Sequence, residues 1–183
     1  CAGAFEEFID ALPFEASSGT AWQTDHSAEH EGLIVPSQVN YVGKGADLYE
    51  LGYRFHGSIQ VITGYLRSSW LWDRIRVQGG AYGAMCLFDR LSGVLTFVSY
   101  RDPNLIRTLD NFDLAAEFLR NIELPDRELT KAVIGAISVI DSYLLPDTKG
   151  YVSMLRHLTG DTEEARQSMR EEVLSTSERE FRA

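Results

Sequence analysis

Trp70-Leu71-Trp72-Asp73-Arg74-Ile75-Arg76-Val77-Gln78-Gly79-Gly80-Ala81-Tyr82-Gly83 reads as the end of a helix, a glycine hinge and the mouth of a strand. Leu71 and Ile75 lie one helical turn apart, as do Trp72 and Arg76, so one helix carries both packing and a candidate site residue. Arg74 and Arg76 fall in its last turn, where the negative end of the helix dipole suits cations. Gly79 and Gly80 supply the left-handed or strained backbone that ends a helix and turns the chain. Tyr82 then opens an alternating run, its side chain leaving the sheet almost directly under the hinge. An arginine and a tyrosine held across a double glycine can point at one spot, where a cation and a phenol suit a developing oxyanion or a peptide carbonyl. A plainer reading stands beside this one: Arg76 as a surface cap, Tyr82 as half-buried strand packing. Arg74 reads as a structural salt-bridge partner.

Downstream of the hinge, Ala81–Phe88 and Val94–Tyr100 alternate as strands, and the short Asp89–Gly93 loop makes them an antiparallel hairpin. Asp102-Pro103 reads as a helix start with cap and first-turn proline in order, followed by Leu105, Leu109, Phe112, Ala116 and Leu119 on one face. Pro125-Asp126 opens a second long helix through Leu129, Val133, Ile137 and Ile140. A shorter one over Tyr151–Leu158 ends at Gly160. Asp161-Thr-Glu-Glu164 and Ser177-Glu-Arg-Glu180 are capping boxes that start two more. The last would run for only about six residues, too few to hold a helix in water, and the sequence is expected to be cut there.

Upstream, Ile59, Ile62 and Leu66 mark a helix over His56–Arg67, with Ser68 or Ser69 capping its continuation. Phe5, Phe8, Ile9 and Leu12 mark a helix ending at Pro13. Residues 15–32 are polar and read as a linker. Leu33–Val39 reads as a strand, with Pro36 implying an edge or bulge. Asn40–Gly45 shows only one strand-like step, at Tyr41-Val42. The order gives an α+β fold, an antiparallel-rich sheet against long helices, with residues 1–32 as N-terminal helix and linker and 33–183 as the domain proper.

A chain of 183 residues is long enough for one core. Its net charge of −10 argues against a nucleic-acid surface, suits cationic peptides, and equally serves plain solubility. Cys1 and Cys86 are too few for a disulfide scaffold, so a reducing compartment is expected. No apolar run approaches the roughly 18 residues of a membrane span.

His26-Ser-Ala-Glu29-His30 spells H-x-x-E-H, an inverted zinc-protease motif that would place two imidazoles on one metal with Glu29 as base. The segment is polar and short, with only Ala28 to bury such a helix, so the residues favour a solvated loop. Gly79-Gly80-Ala-Tyr-Gly83 follows a helix and opens a strand, the reverse of a nucleotide loop, and Gly43-Lys44-Gly45 lacks the rest of a P-loop. Cys86 reads as core rather than nucleophile, and Trp70 and Trp72 as packing anchors. His56 and His157 are isolated.

Arg76-Val-Gln-Gly-Gly-Ala-Tyr82-Gly and Ser99-Tyr-Arg-Asp-Pro-Asn104, with Val39-Asn-Tyr-Val-Gly43, Ile134-Gly135 and Asp141-Ser-Tyr-Leu-Leu-Pro146-Asp-Thr-Lys-Gly150, resemble the C-terminal half of the presequence-protease family. These are zinc metallopeptidases of the insulin-degrading-enzyme and pitrilysin clan. The likeness covers about residues 33 to 180 and implies a pitrilysin-like metallohydrolase domain, the C-terminal half of a clamshell that encloses unstructured, targeting-presequence-like peptides. By the family's pattern Arg76 and Tyr82 are the catalytic contributions of this half, contacting the substrate carbonyl, with Gly79 and Gly80 against the substrate. Zn2+ would be bound by an N-terminal half on the same polypeptide and not by this piece, which alone is expected to be inactive. That half and unstructured peptides are the implied partners, with neither nucleic acid nor membrane. Mitochondrial matrix or chloroplast stroma is implied for a eukaryotic source and cytoplasm for a bacterial one. Non-catalytic relatives that present substrate to a catalytic mate are the alternative.

Overall fold

A computed structural model describes residues 2–13 and 30–182, divided between two compact units, Cys1–Pro36 and Ser37–Ala183. In the first, α1 (Ala2–Asp10) forms where the apolar spacing predicts it, with Phe5, Phe8, Ile9 and Leu12 all exposed.

The second unit is α+β. Its three antiparallel strands, β1 (Asn40–Asp47), β2 (Gly83–Phe88) and β3 (Val94–Asp102), take the order β1-β3-β2. The predicted hairpin is β2–β3, in continuous register from Gly83 opposite Tyr100 to Phe88 opposite Leu95. The strand expected at Leu33–Val39 is absent; β1 begins where that run ends. Leu33, Ile34 and Val35 are exposed and join no ladder among the described residues, and Pro36 has no N–H to give one. Gly43 and Gly45 weaken strand propensity, yet β1 is secured by pairing with β3 from Asp47–Val94 up to Asn40–Asp102.

Helices cover the sheet. α2 (Ser58–Ser68) breaks at Ser69, and Trp70 and Leu71 lead into a π-helical turn, Trp72–Val77. Ser68 and Ser69 do not cap that continuation: their hydroxyls donate back to the Gly64 and Tyr65 carbonyls of the preceding turn. α3 (Ile106–Arg120) begins later than Asp102-Pro103 suggests, because Asp102 is the last residue of β3. Its buried face is Phe112 and Ala115, with Ala116 exposed. α4 (Asp126–Ile140), α5 (Pro146–Thr159) and α6 (Glu163–Leu174) follow, α5 closed by Gly160 in the left-handed conformation and α6 capped by Thr162, whose hydroxyl accepts from the Ala165 amide. Asp161 is released from capping to pair with Arg90.

Two apolar clusters hold these elements. Leu66, Leu71, Ile75, Ala81, Cys86, Phe112 and Ala115 join the π turn, β2 and α3. Val61, Ile122, Leu124, Val173 and Phe181 join α2, α6 and α7 (Glu178–Arg182). α7 is short, as the final capping box predicts, but Phe181 is buried and Arg182 donates to the Ile122 carbonyl, so tertiary packing holds it rather than its own hydrogen bonds.

Candidate functional site

The hinge is built from the π turn. The Gln78 amide donates to the Asp73 carbonyl five residues back, the widened bond of a π turn. Leu71 and Ile75 are fully buried, each contributing about 1.5–3 kcal/mol of apolar transfer, and anchor the inner face. The outer face carries the cations. The Arg76 guanidinium lies 4.1 Å from the Trp72 ring centre and Arg74 lies 4.9 Å from that of Trp70. Arg74 is therefore no salt-bridge partner among the described residues. Trp70 is the packing anchor expected, stacked on Phe118 and donating to the Asn111 carbonyl. Trp72 is not: it remains half exposed, a platform beneath Arg76.

The chain leaves the turn with its backbone groups paired. The Gly80 amide donates to Arg76, and the Ala81 amide reaches back to Ile75. Gly80 has a φ of 79°, where a side chain is strained. At Gly79 the constraint is space, since a β-carbon would press into the Ile75 carbonyl and lie 3.1 Å from that of Arg74. A buried polar clasp fixes the other side. Asp102 is fully enclosed, and its carboxylate accepts from the Asn104 amide at 2.8 Å and the Thr108 hydroxyl at 2.7 Å. The Asn104 side chain then donates to the Gly79 carbonyl at 2.7 Å. Sequence reading assigned Asp102 to a helix cap; its partners show that it ties β3, α3 and the hinge together.

Tyr82 sits one residue before β2, its amide shared between the Tyr100 and Arg101 carbonyls. Its side chain is 64% exposed, with the ring edge-on to Tyr100 at 5.5 Å. Arg76 and Tyr82 thus leave the two ends of one braced hinge. The cation against the Tyr82 ring is Arg101, at 5.9 Å, while Arg76 rests on Trp72. Arg101 is a residue the spacing argument missed. It lies in a bulge, because Asn40 pairs with Asp102 and Val42 with Ser99, leaving β3 one residue longer than β1. Its φ is 49°, a left-handed conformation costing roughly 1–2 kcal/mol for a residue with a side chain. Only the quoted Ser99-Tyr-Arg-Asp run pointed there.

His26 and Glu29 lie outside the described residues, and His30 is exposed. Among the described residues no three His, Cys, Asp or Glu side chains converge to hold a metal. Cys86 is buried, and burial pushes its thiol up to about 12, the environment of a core residue rather than a nucleophile. His56 shares a hydrogen bond with Ser58. A concavity of about 640 Å³ between α2, β2 and α4 includes none of the hinge residues.

The family described as PreP C-terminal domain matches residues 30–183. The chain belongs to that family. Among curated relatives it is 50% identical over 177 residues to presequence protease 1, chloroplastic/mitochondrial, of Arabidopsis thaliana, covering 96% of this chain and 16% of the relative. It is 36% identical over 147 residues to protein HypA of Clostridium perfringens (80% and 15%) and 30% identical over 145 residues to mitochondrial presequence protease of Mus musculus (79% and 14%). The PreP C-terminal domain described here thus spans about one-sixth of the length of these relatives. None of its described helices is long and apolar enough to cross a membrane.

Proposed function

We propose that this PreP C-terminal domain is part of a longer zinc metalloendopeptidase that degrades unstructured, presequence-like peptides, and that it supplies Arg76 and Tyr82 to bind and polarise the scissile carbonyl. The observation that carries the reading is the hinge: its backbone is bonded from Ile75 to Ala81 and clasped by Asn104, yet the Tyr82 phenol stands exposed at its end. A phenol fixed this way donates to a carbonyl oxygen most strongly as that oxygen gains charge, and needs little rearrangement to do so. Arg76, displaceable from the exposed Trp72 ring, adds a cation on the same hinge. Gly79 and Gly80 leave no side chain between that hinge and a bound peptide.

In this reading the metal is held by the N-terminal half of the longer chain, the domain's principal partner. A net charge of −10 favours cationic peptides as the other partner. The names of the plant and mouse relatives favour chloroplast stroma or mitochondrial matrix as the compartment.

The test is steady-state kinetics of the full-length enzyme on an unstructured basic peptide. Tyr82→Phe is expected to lower kcat on the order of 100-fold with KM little changed. Unchanged turnover removes Tyr82 from the mechanism. The 183-residue chain alone is expected to be inactive; turnover by it, abolished by His30→Ala, overturns the division of labour. A full-length protein that binds peptides without cleaving them is the substrate-presenting alternative.

A further inference from the structure

We propose that Arg101, held between the rings of Tyr82 and Tyr100, is a carboxylate-binding subsite beside the hinge that engages a carboxylate of the bound peptide. The proposal rests on the peptidase reading above and adds a preference to it.

Three features converge on Arg101. The β3 bulge re-aims it, a common use of an extra strand residue. Its φ of 49° is one that glycine adopts freely, so the backbone alone gives no reason for a long side chain here. The guanidinium lies 5.5 Å from the Tyr100 ring centre and 5.9 Å from that of Tyr82, and those two rings stand at 84° to each other. It is therefore lodged in the angle between two aromatic walls. Contact with ring faces leaves the in-plane N–H donors available, in the fork that matches both oxygens of a carboxylate.

Those donors meet no carboxylate among the described residues. No ion pair among the described residues includes Arg101, although the chain has ten more acidic than basic side chains. The walls are exposed as well. Tyr41, 62% exposed, stands edge-on to Tyr100 at 5.5 Å, so three tyrosines and an arginine form one open surface next to the residue that meets the carbonyl. A peptide carries carboxylates in two places, at its C-terminus and on Asp or Glu.

The experiment uses the full-length enzyme and one unstructured peptide in paired forms: C-terminal acid against amide, and Asp against Asn beside the cleavage site. kcat/KM is measured for wild type, Arg101→Lys and Arg101→Gly, with thermal melts of each. Wild type is expected to favour the carboxylate form of one pair by about tenfold. Arg101→Gly should bring that ratio to about one without lowering the melting temperature, and Arg101→Lys should keep part of it. The acid/amide pair carrying the ratio identifies the terminus as the source; the Asp/Asn pair identifies the side chain. A wild type that cleaves all forms equally overturns the subsite and leaves the peptidase reading intact. So does an Arg101→Gly enzyme that slows on every peptide but keeps its ratio. Failure to cleave any of the peptides defeats the peptidase reading and the subsite with it.

Discussion

The side-chain amide of Asn104 donates to the carbonyl oxygen of Gly79 at 2.7 Å, joining the start of α3 to the hinge between Arg76 and Tyr82. The strut braces the hinge from whose two ends Arg76 and Tyr82 project. On the proposed peptidase reading, Asn104→Ala in the full-length protein is expected to lower kcat about tenfold, the loss of one well-placed hydrogen bond. A double-mutant cycle separates positioning from general weakening. In a Tyr82→Phe background the same substitution should cost much less, and full additivity would show that Asn104 does not act through Tyr82.

Gly79→Ala and Gly135→Ala should move stability in opposite directions. At Gly79 the new methyl meets main-chain oxygens that cannot swing aside, and a loss of about 1–3 kcal/mol is expected. At Gly135, inside α4, nothing lies within 4 Å of the added carbon, so alanine should stabilise by about 0.5–1 kcal/mol. Denaturant unfolding of the two variants checks both signs.

Phe181→Ala removes the buried apolar side chain that roots α7, a ring against Tyr65 at 5.5 Å and within the Val61–Val173 cluster. The expected cost is about 3 kcal/mol. Amide exchange should show α7 losing protection first, before the β2–β3 hairpin.

Glu180 gives the same helix a pH dependence. The Ser177 hydroxyl, donating at 2.6 Å, holds its carboxyl below the usual carboxylate range. A folded value below the unfolded one means a contribution fully present above the ordinary carboxylate value and lost as pH falls through the depressed one. Thermal melts from pH 7 to pH 3 should show Ser177→Ala converging on wild type at the acid end.

Cys86 should resist alkylation. With its thiol pushed up to about 12 by burial, almost no thiolate exists at pH 8. Peptide mapping after iodoacetamide should find the Cys86 peptide unmodified in the folded chain and fully modified in denaturant.

Much of the fold was legible because local signals and tertiary packing agree. The alternation of β2 and β3 around Asp89–Gly93, the start of α4 at Pro125-Asp126 and the stop of α5 at Gly160 each follow from a single chemical rule. β1 was misplaced because its glycines conceal a strand secured by β3, while Leu33–Val35 shows strand propensity but pairs with no described strand. At the candidate site, a glycine hinge between a helix end and a strand could be read from spacing, while the role of Arg76 and Tyr82 there is the proposal made above. The π turn could not, since its local composition is also that of an α-helix. Nor could the approach of Arg101 to Tyr82, which depends on one unmatched residue in the pairing of two distant strands.

Val77 shows what the widened turn imposes. Its side chain is exposed and makes no contribution to either apolar cluster. Yet each residue of a helix rotates the chain about its axis, by about 100° in an α-helix and somewhat less in the wider π turn. Remove Val77 and the hinge leaves the turn at a different angle about its axis, carrying Tyr82 with it. Its contribution is arithmetic: many side chains will serve at this position, provided that the position is there to be counted.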